Sequence, residues 1–153
     1  MIDWEFNAGD YDPNGFLIPK GKYRVRIEDA EETISKSSGK PMVTLTLKVS
    51  GHNSKIWYYL VFNPEKREYV NQKLGELLNS FNISKENSKN PESWKGKVGG
   101  ANIKHEPDNN GNMQARVSYF LNRKEVDKLP AWQEGKNTSN TGNIDAEMYD
   151  PFN

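Results

Sequence analysis

The sequence of 153 residues contains no cysteine. A chain without thiols forms no disulfide, no thiolate zinc site and no cysteine nucleophile, and this absence fits a reducing cytosol. No apolar run approaches the roughly 20 residues of a membrane-spanning helix. The first residues, "MIDWEFNAGD", also lack the basic start and apolar stretch of a secretory signal. We therefore expect one soluble, cytoplasmic domain with no membrane partner.

The sequence is equally poor in catalytic and metal-binding patterns. Its only histidines, His52 and His105, have no second ligand nearby in the sequence. Residues 108–112, "DNNGN", begin like a calcium loop, but Tyr119 stands where the bidentate glutamate should be. We expect no catalytic residue, no metal and no cofactor, and hence no enzyme.

The chain has no net charge, but its acidic and basic residues are segregated along the sequence. The 21 basic and 21 acidic side chains cancel, which taken alone argues against a nucleic-acid binder. Residues 1–19 hold four acids and no Lys or Arg, and residues 125–153 hold six acids against two lysines. Residues 20–124 keep 19 basic against 11 acidic residues, a balance of +8. The chain therefore combines a basic body with acidic ends.

Hydrophobic periodicity predicts five strands and one helix. Three segments alternate with the period of two that is typical of half-buried strands: "GKYRVRIEDAEETI" from Gly21, "MVTLTLKVS" at 42–50 and "KIWYYLVF" at 55–62. A helix follows, with Asn63 as its N-cap, Pro64 as its first residue and apolar residues at helical spacing up to Phe81. Two further strands, "KVGGANIKHE" and "MQARVSYFL", flank an Asn-Gly turn.

Three strands, a helix and two strands is the order of an OB-fold, a five-stranded, partly open barrel that binds oligonucleotides or oligosaccharides. Other small barrels are the alternative. We predict an acidic N-terminal segment at 1–19, an OB-fold domain at 20–124 and a flexible acidic tail at 125–153, which is too poor in apolar residues to order itself. The N-terminal segment either packs on the barrel or mediates self-association.

Cations and aromatic rings share the predicted outer face of the barrel. The outward-facing residues of the first three strands are Arg24, Arg26, Lys48, Trp57 and Tyr59. Single-stranded nucleic acid suits this combination, because cations neutralise phosphates and stacking is worth roughly 1–3 kcal/mol per base. Predicted extensions of the site are Trp94, Lys97, Lys104 and Arg116. In the alternatives, a slip of one residue turns Trp57 and Tyr59 inward, and Trp94 caps a barrel end.

Three motifs, in their order, resemble those of a known family. They are "GxYxVxIxxAE" from Gly21, "SKSSGKPM" from Ser35 and "WKGKxxxAxI" from Trp94. Residues 18–122 resemble a group of small phage proteins that are often labelled domains of unknown function, some of which serve as single-stranded-DNA-binding proteins. The resemblance implies an OB-fold, DNA binding in phage replication or recombination and, for a phage-encoded chain, the cytoplasm of the infected host cell.

The C-terminus carries a second resemblance. Bacterial single-strand-binding proteins typically end in a flexible linker and an acidic tip closing on Pro-Phe, which docks replication and repair enzymes. The corresponding partner-binding residues here are Asp145, Glu147, Asp150, Pro151 and Phe152. Asn153 departs from that pattern, because it moves the free carboxylate one residue beyond the ring. In the alternative, Phe152 packs back onto its own barrel.

The leading interpretation is a sequence-tolerant, single-stranded-DNA-binding protein that coats unpaired strands and recruits replication or recombination proteins through its tail. We take a homodimer as the working oligomeric state. The acidic tail is also expected to compete with phosphates for the basic face, so that deleting 144–153 tightens DNA binding at low salt. The alternatives are an adaptor of the replication or recombination machinery with only incidental DNA binding, and an oligosaccharide-binding barrel.

Overall fold

The computed structural model describes residues 1–8 and 17–135. Its main element is a five-stranded antiparallel sheet with the order β3-β2-β1-β4-β5, so that β3 and β5 are the edges. Each strand predicted from alternation is present, with ends that agree to within one residue. The strands are β1 (Gly21–Ile34), β2 (Pro41–Val49), β3 (Lys55–Val61), β4 (Val98–Pro107) and β5 (Met113–Phe120).

The sheet curls until its two edges approach each other. Tyr58 of β3 and Phe120 of β5 meet edge to face, with ring centroids 4.8 Å apart. Within the described residues, β3 is hydrogen-bonded to β2 alone and β5 to β4 alone, so the boundary between the two edges stays open. We call this boundary the seam. The chain is mostly β, and the strand order is consistent with an OB-like fold.

Alternate residues of the strands form the core. Fully buried side chains of β1 and β2 include Val25, Ile27, Leu45, Leu47 and Val49. Burying each side chain of this kind contributes about 1.5–3 kcal/mol. Intervening polar residues face outward, because successive side chains of a strand point to opposite faces. The sequence alternation therefore sets which surface the sheet offers to a ligand.

The main helix closes the core between β3 and β4. The Asn63 side chain accepts a hydrogen bond of 3.0 Å from the Glu65 amide, as expected of an N-cap. The first turn, Pro64–Lys66, is a 3-10 turn, however, and α1 spans only Arg67–Ser80, because Lys66 leaves helical geometry. The described residues contain no helix with the length and apolar character that crossing a membrane requires.

Two adjacent glycines let the helices lie against β4. A Cβ added at Gly99 would lie 2.9 Å from the Phe81 ring, and one added at Gly100 would lie 2.9 Å from Val126. Neither gap accommodates a side chain without movement of its neighbours. Ser80 at the end of α1 is fully buried and bonds both the amide and the carbonyl of Gly100.

The chain after β5 departs from the prediction of a flexible tail beginning at 125. Helix α2 (Arg123–Asp127) has a capping box between Asn122 and Glu125, and Val126 is completely buried. Residues 129–135, which we call the strap, then lie across β1 and the end of β2. The rest of the predicted tail, residues 136–153, lies outside the described residues.

The N-terminal segment 1–8 extends three large apolar side chains toward solvent. Ile2, Trp4 and Phe6 are 83%, 61% and 71% exposed, respectively. Ile18, by contrast, is buried, and its carbonyl is 2.7 Å from His105 Nε2. The chain therefore joins the core by residue 18, and self-association through the first residues stays a prediction.

Candidate nucleic-acid interface

The outer face of β3 carries an exposed aromatic pair. Trp57 and Tyr59 are each 47% exposed, whereas Ile56 and Leu60 point into the core. The alternative in which the aromatic pair points inward is therefore wrong. Residues two apart on a strand are separated by about 6.6 Å, so the two rings stand side by side on one face.

The two neighbouring tyrosines of β3 have opposite environments. Tyr58 lies on the inner face, packed against the hydrophobic core and the Phe120 ring, and burial raises the pKa of its phenol to about 12. Tyr59 faces solvent on the other side of the same strand. The structure thus assigns one tyrosine to packing and the other to the surface.

Arg116 of β5 meets the aromatic pair across the seam. Its guanidinium carbon lies 5.7 Å from the Tyr59 ring centroid, within cation–π range. Glu106 holds two cations beside it: Lys104 Nζ lies 3.1 Å from Glu106 Oε1, and Arg116 Nη1 lies 3.6 Å from Glu106 Oε2. Four of the predicted site residues, Trp57, Tyr59, Lys104 and Arg116, therefore belong to one surface.

A groove of about 230 Å³ follows the seam. Its walls combine apolar and polar side chains from the two edge strands and from the segment before β1. The lining residues are Leu17, Ile18, Ser54, Lys55, Ile56, Trp57, Tyr59, Gln114, Ala115 and Arg116. Sequence reasoning missed Lys55 and Gln114. The signal for Lys55 was present, because it belongs to the same alternation as Trp57 and Tyr59.

The predicted cations of β1 and β2 lie apart from this groove, under the strap. Arg24 donates from Nε to the Pro130 carbonyl at 2.7 Å and from Nη2 to the Leu129 carbonyl at 3.2 Å. Gly51 donates to the Gln133 carbonyl at 2.8 Å, and the Gln133 amide donates to Ser50 Oγ at 2.9 Å. The strap is therefore anchored at both ends of its path across the two strands.

Glu134 of the strap sits between two further predicted cations. Its carboxylate lies 3.3 Å from Lys48 Nζ and 3.6 Å from Arg26 Nη1, and it accepts a 2.8 Å hydrogen bond from Trp132 Nε1. The hydrogen bond from the Trp132 indole is the largest cause that lowers the pKa of Glu134, and Lys48 and Arg26 lower it further. Arg26 also stacks 4.6 Å from the Trp132 ring centroid and donates to Glu28 at 2.6 Å, which raises its pKa.

Trp94 is a correction to the predicted site. It is 1% exposed, and its indole donates to the Asn87 carbonyl at 2.8 Å. A ring enclosed in the core offers no face to a base, so its role is packing. Lys97 is exposed next to β4, and its backbone carbonyl accepts a hydrogen bond from the Ile27 amide. It does not line the groove along the seam. The predicted tail residues, Asp145, Glu147, Asp150, Pro151 and Phe152, lie outside the described residues.

Comparison with known proteins gives a family without an assigned activity. A family model described as Protein of unknown function (DUF669) matches residues 10–120, which span all five strands and α1. No curated protein matches the chain. We therefore infer the function from the groove along the seam and from the cations under the strap.

Proposed function

The chain belongs to the family described as Protein of unknown function (DUF669), and we propose that this member is a sequence-tolerant single-stranded-DNA-binding protein without catalytic activity. Unpaired bases would stack on the outer face of β3, and phosphates would meet the cations on either side. Duplex DNA would bind poorly, because its bases offer no free faces to the aromatic rings.

The observation that carries the proposal is the aromatic pair at the seam. Trp57 and Tyr59 are large, exposed and on the same face of β3, and Arg116 contacts the Tyr59 ring. Single-strand binders combine such stacking platforms with a basic track along the backbone path. A purely structural role for the pair is disfavoured, because about half of each side chain is exposed to solvent.

We further propose that the open sheet is an OB-fold. Its strand order and the approach of β3 to β5 support this assignment, since closing the seam would give the five-stranded barrel. OB-folds bind oligonucleotides across their second and third strands, and β3 is where the aromatic pair lies.

A role in phage replication or recombination, with partner recruitment through the C-terminal tip, is part of the same proposal. It is supported by the sequence resemblances described above and by the acidic residues that precede Phe152. An apolar ring flanked by acids suits a pocket with a basic rim on a partner.

The test compares full-length variants by fluorescence anisotropy with a labelled oligo-dT. Replacing both Trp57 and Tyr59 by Ala should weaken binding at least about 30-fold, because each lost stack costs about 1 kcal/mol or more. The matched control is Tyr69→Ala, which removes an aromatic residue of α1 that is 60% exposed and does not line the groove. Circular dichroism should show that each variant keeps the wild-type fold.

Equal affinity of the double variant and the wild type would refute the assignment of the stacking residues. If the wild-type protein does not retain the oligonucleotide at all, the adaptor function replaces DNA binding. Binding of an oligosaccharide in place of oligo-dT would favour an oligosaccharide-binding barrel.

A further inference from the structure

We propose that the strap, residues 129–135, is an intramolecular competitor of single-stranded DNA that occupies the phosphate path over β1 and β2. This inference rests on the proposed function, since it concerns the regulation of the same binding surface. It assigns a role to residues that the sequence analysis placed in a flexible tail.

The strap presents a carboxylate and an aromatic ring, which correspond to the phosphate and the base of a nucleotide. The Glu134 carboxylate lies between Lys48 and Arg26, where a phosphate oxygen would be stabilised by the same two cations. The Trp132 ring lies against the Arg26 guanidinium, as a base would stack on an arginine plane. An anion and an aromatic ring two residues apart therefore fill both kinds of subsite.

Arg24 is a third cation that the strap contacts where a phosphate could bind. Both of its hydrogen bonds to the strap go to backbone carbonyls, at 2.7 and 3.2 Å. A guanidinium binds phosphate oxygens more strongly than neutral carbonyls, because the acceptor then carries a charge. Bound DNA can consequently replace these contacts with stronger ones.

The contacts of the strap suit a displaceable segment. Glu134 is 66% exposed, and ion pairs at exposed positions contribute little stability individually. Because the strap is tethered, however, it competes at a high effective concentration, on the order of millimolar for a short flexible link. Weak or short ligands would therefore be excluded, and long single strands that also stack at the seam would displace it.

One glycine fixes the far end of the strap. A Cβ added at Gly135 would meet the Asn53 side chain and lie 2.8 Å from the backbone carbonyl carbon of His52. Gly135→Ala therefore pushes the strap away from the loop between β2 and β3 without changing any charge. This substitution separates the effect of displacement from the effect of removing a carboxylate.

The experiment measures oligo-dT affinity at low salt for full-length Glu134→Gln, Gly135→Ala and wild type. Each substitution should tighten binding, by about threefold for Glu134→Gln, since one exposed ion-pair partner is lost. The matched control is Glu76→Gln, which also removes one negative charge but breaks an ion pair with Lys73 on α1. A general charge effect would tighten binding equally in the control and would overturn the proposal.

Hydrogen exchange gives a second readout that does not depend on affinity differences. The Gly51 amide, which bonds the Gln133 carbonyl, should exchange faster when oligo-dT saturates the protein. Unchanged or slower exchange at saturation would mean that the strap stays in place, and the inference would be wrong even if the Trp57 and Tyr59 double variant confirms DNA binding. Absence of binding in every variant, the wild type included, would overturn both proposals.

Discussion

The seam and the face under the strap arise from the same sequence pattern but differ in accessibility. Both are made of alternate, outward-facing residues of strands. At the seam, Trp57 and Tyr59 are each 47% exposed, whereas Arg26 and Lys48 are half-buried beneath Glu134 and Trp132. Alternation determines which way a side chain points, but only the long-range path of the chain determines what covers it.

The largest expected effect separates Trp57, the main stacking residue predicted from the sequence, from Trp94, a predicted extension of the same site. Trp94→Ala should lower the free energy of unfolding by about 3–5 kcal/mol, because it empties a buried site in the core. Trp57→Ala should leave thermal unfolding nearly unchanged and weaken oligo-dT binding instead. Thermal denaturation and anisotropy on the same two variants check this. A Trp94→Ala protein with wild-type stability would contradict the packing described here.

The strands of the sheet could be predicted from the sequence because the patterns that specify them involve only residues close together in the chain. The period of two in β1, β2 and β3, and the Asn-Gly turn between β4 and β5, each depend on neighbouring residues alone. The aromatic pair of β3 was predicted for the same reason. Trp94 was placed wrongly because a loop residue has no periodic pattern that could show whether it points inward.

The second prediction compares one cation from each region. Arg116→Gln at the seam should reduce the slope of log affinity against log salt by about 0.7, as expected for one lost phosphate contact with a single strand. Arg26→Gln should change it less, because it removes a phosphate contact and a contact of the competing strap together. Salt titrations of both variants measure the difference.

Lys73→Gln on α1 is the control for the loss of one positive charge. Equal slopes for the Arg116 and Lys73 variants would show that no phosphate is held at the seam. An Arg26→Gln slope as low as that of Arg116→Gln would show that the strap does not offset the lost contact.

The strap could not have been predicted from local pattern. Arg24 and Pro130 are 106 positions apart, and no periodicity relates them. Helix α2 was predictable in principle, since Asn122 and Glu125 have capping-box spacing ahead of the apolar Val126. That signal was outweighed by the polar composition of the chain after Lys124.

The smallest expected effect is the pH dependence of the strap. The pKa of Glu134 is lowered in the folded protein, so its contribution to stability is present above the ordinary glutamate pKa and is lost as pH falls through the lowered value. Wild type should therefore be slightly more stable than Glu134→Gln at neutral pH, and the difference should disappear as pH falls through the lowered pKa of Glu134. Thermal unfolding across this range measures it. A difference that grows on acidification would contradict the ion-pair arrangement.

The most direct test of stacking at the seam is tryptophan fluorescence during titration with oligo-dT, using a duplex of equal length as control. Of the four tryptophans, Trp94 is enclosed in the core and Trp57 faces the groove. We predict strong quenching by oligo-dT, little response to duplex, and loss of most of the quenching in Trp57→Phe. Quenching of equal size in Trp57→Phe, or none in the wild type, would contradict the account.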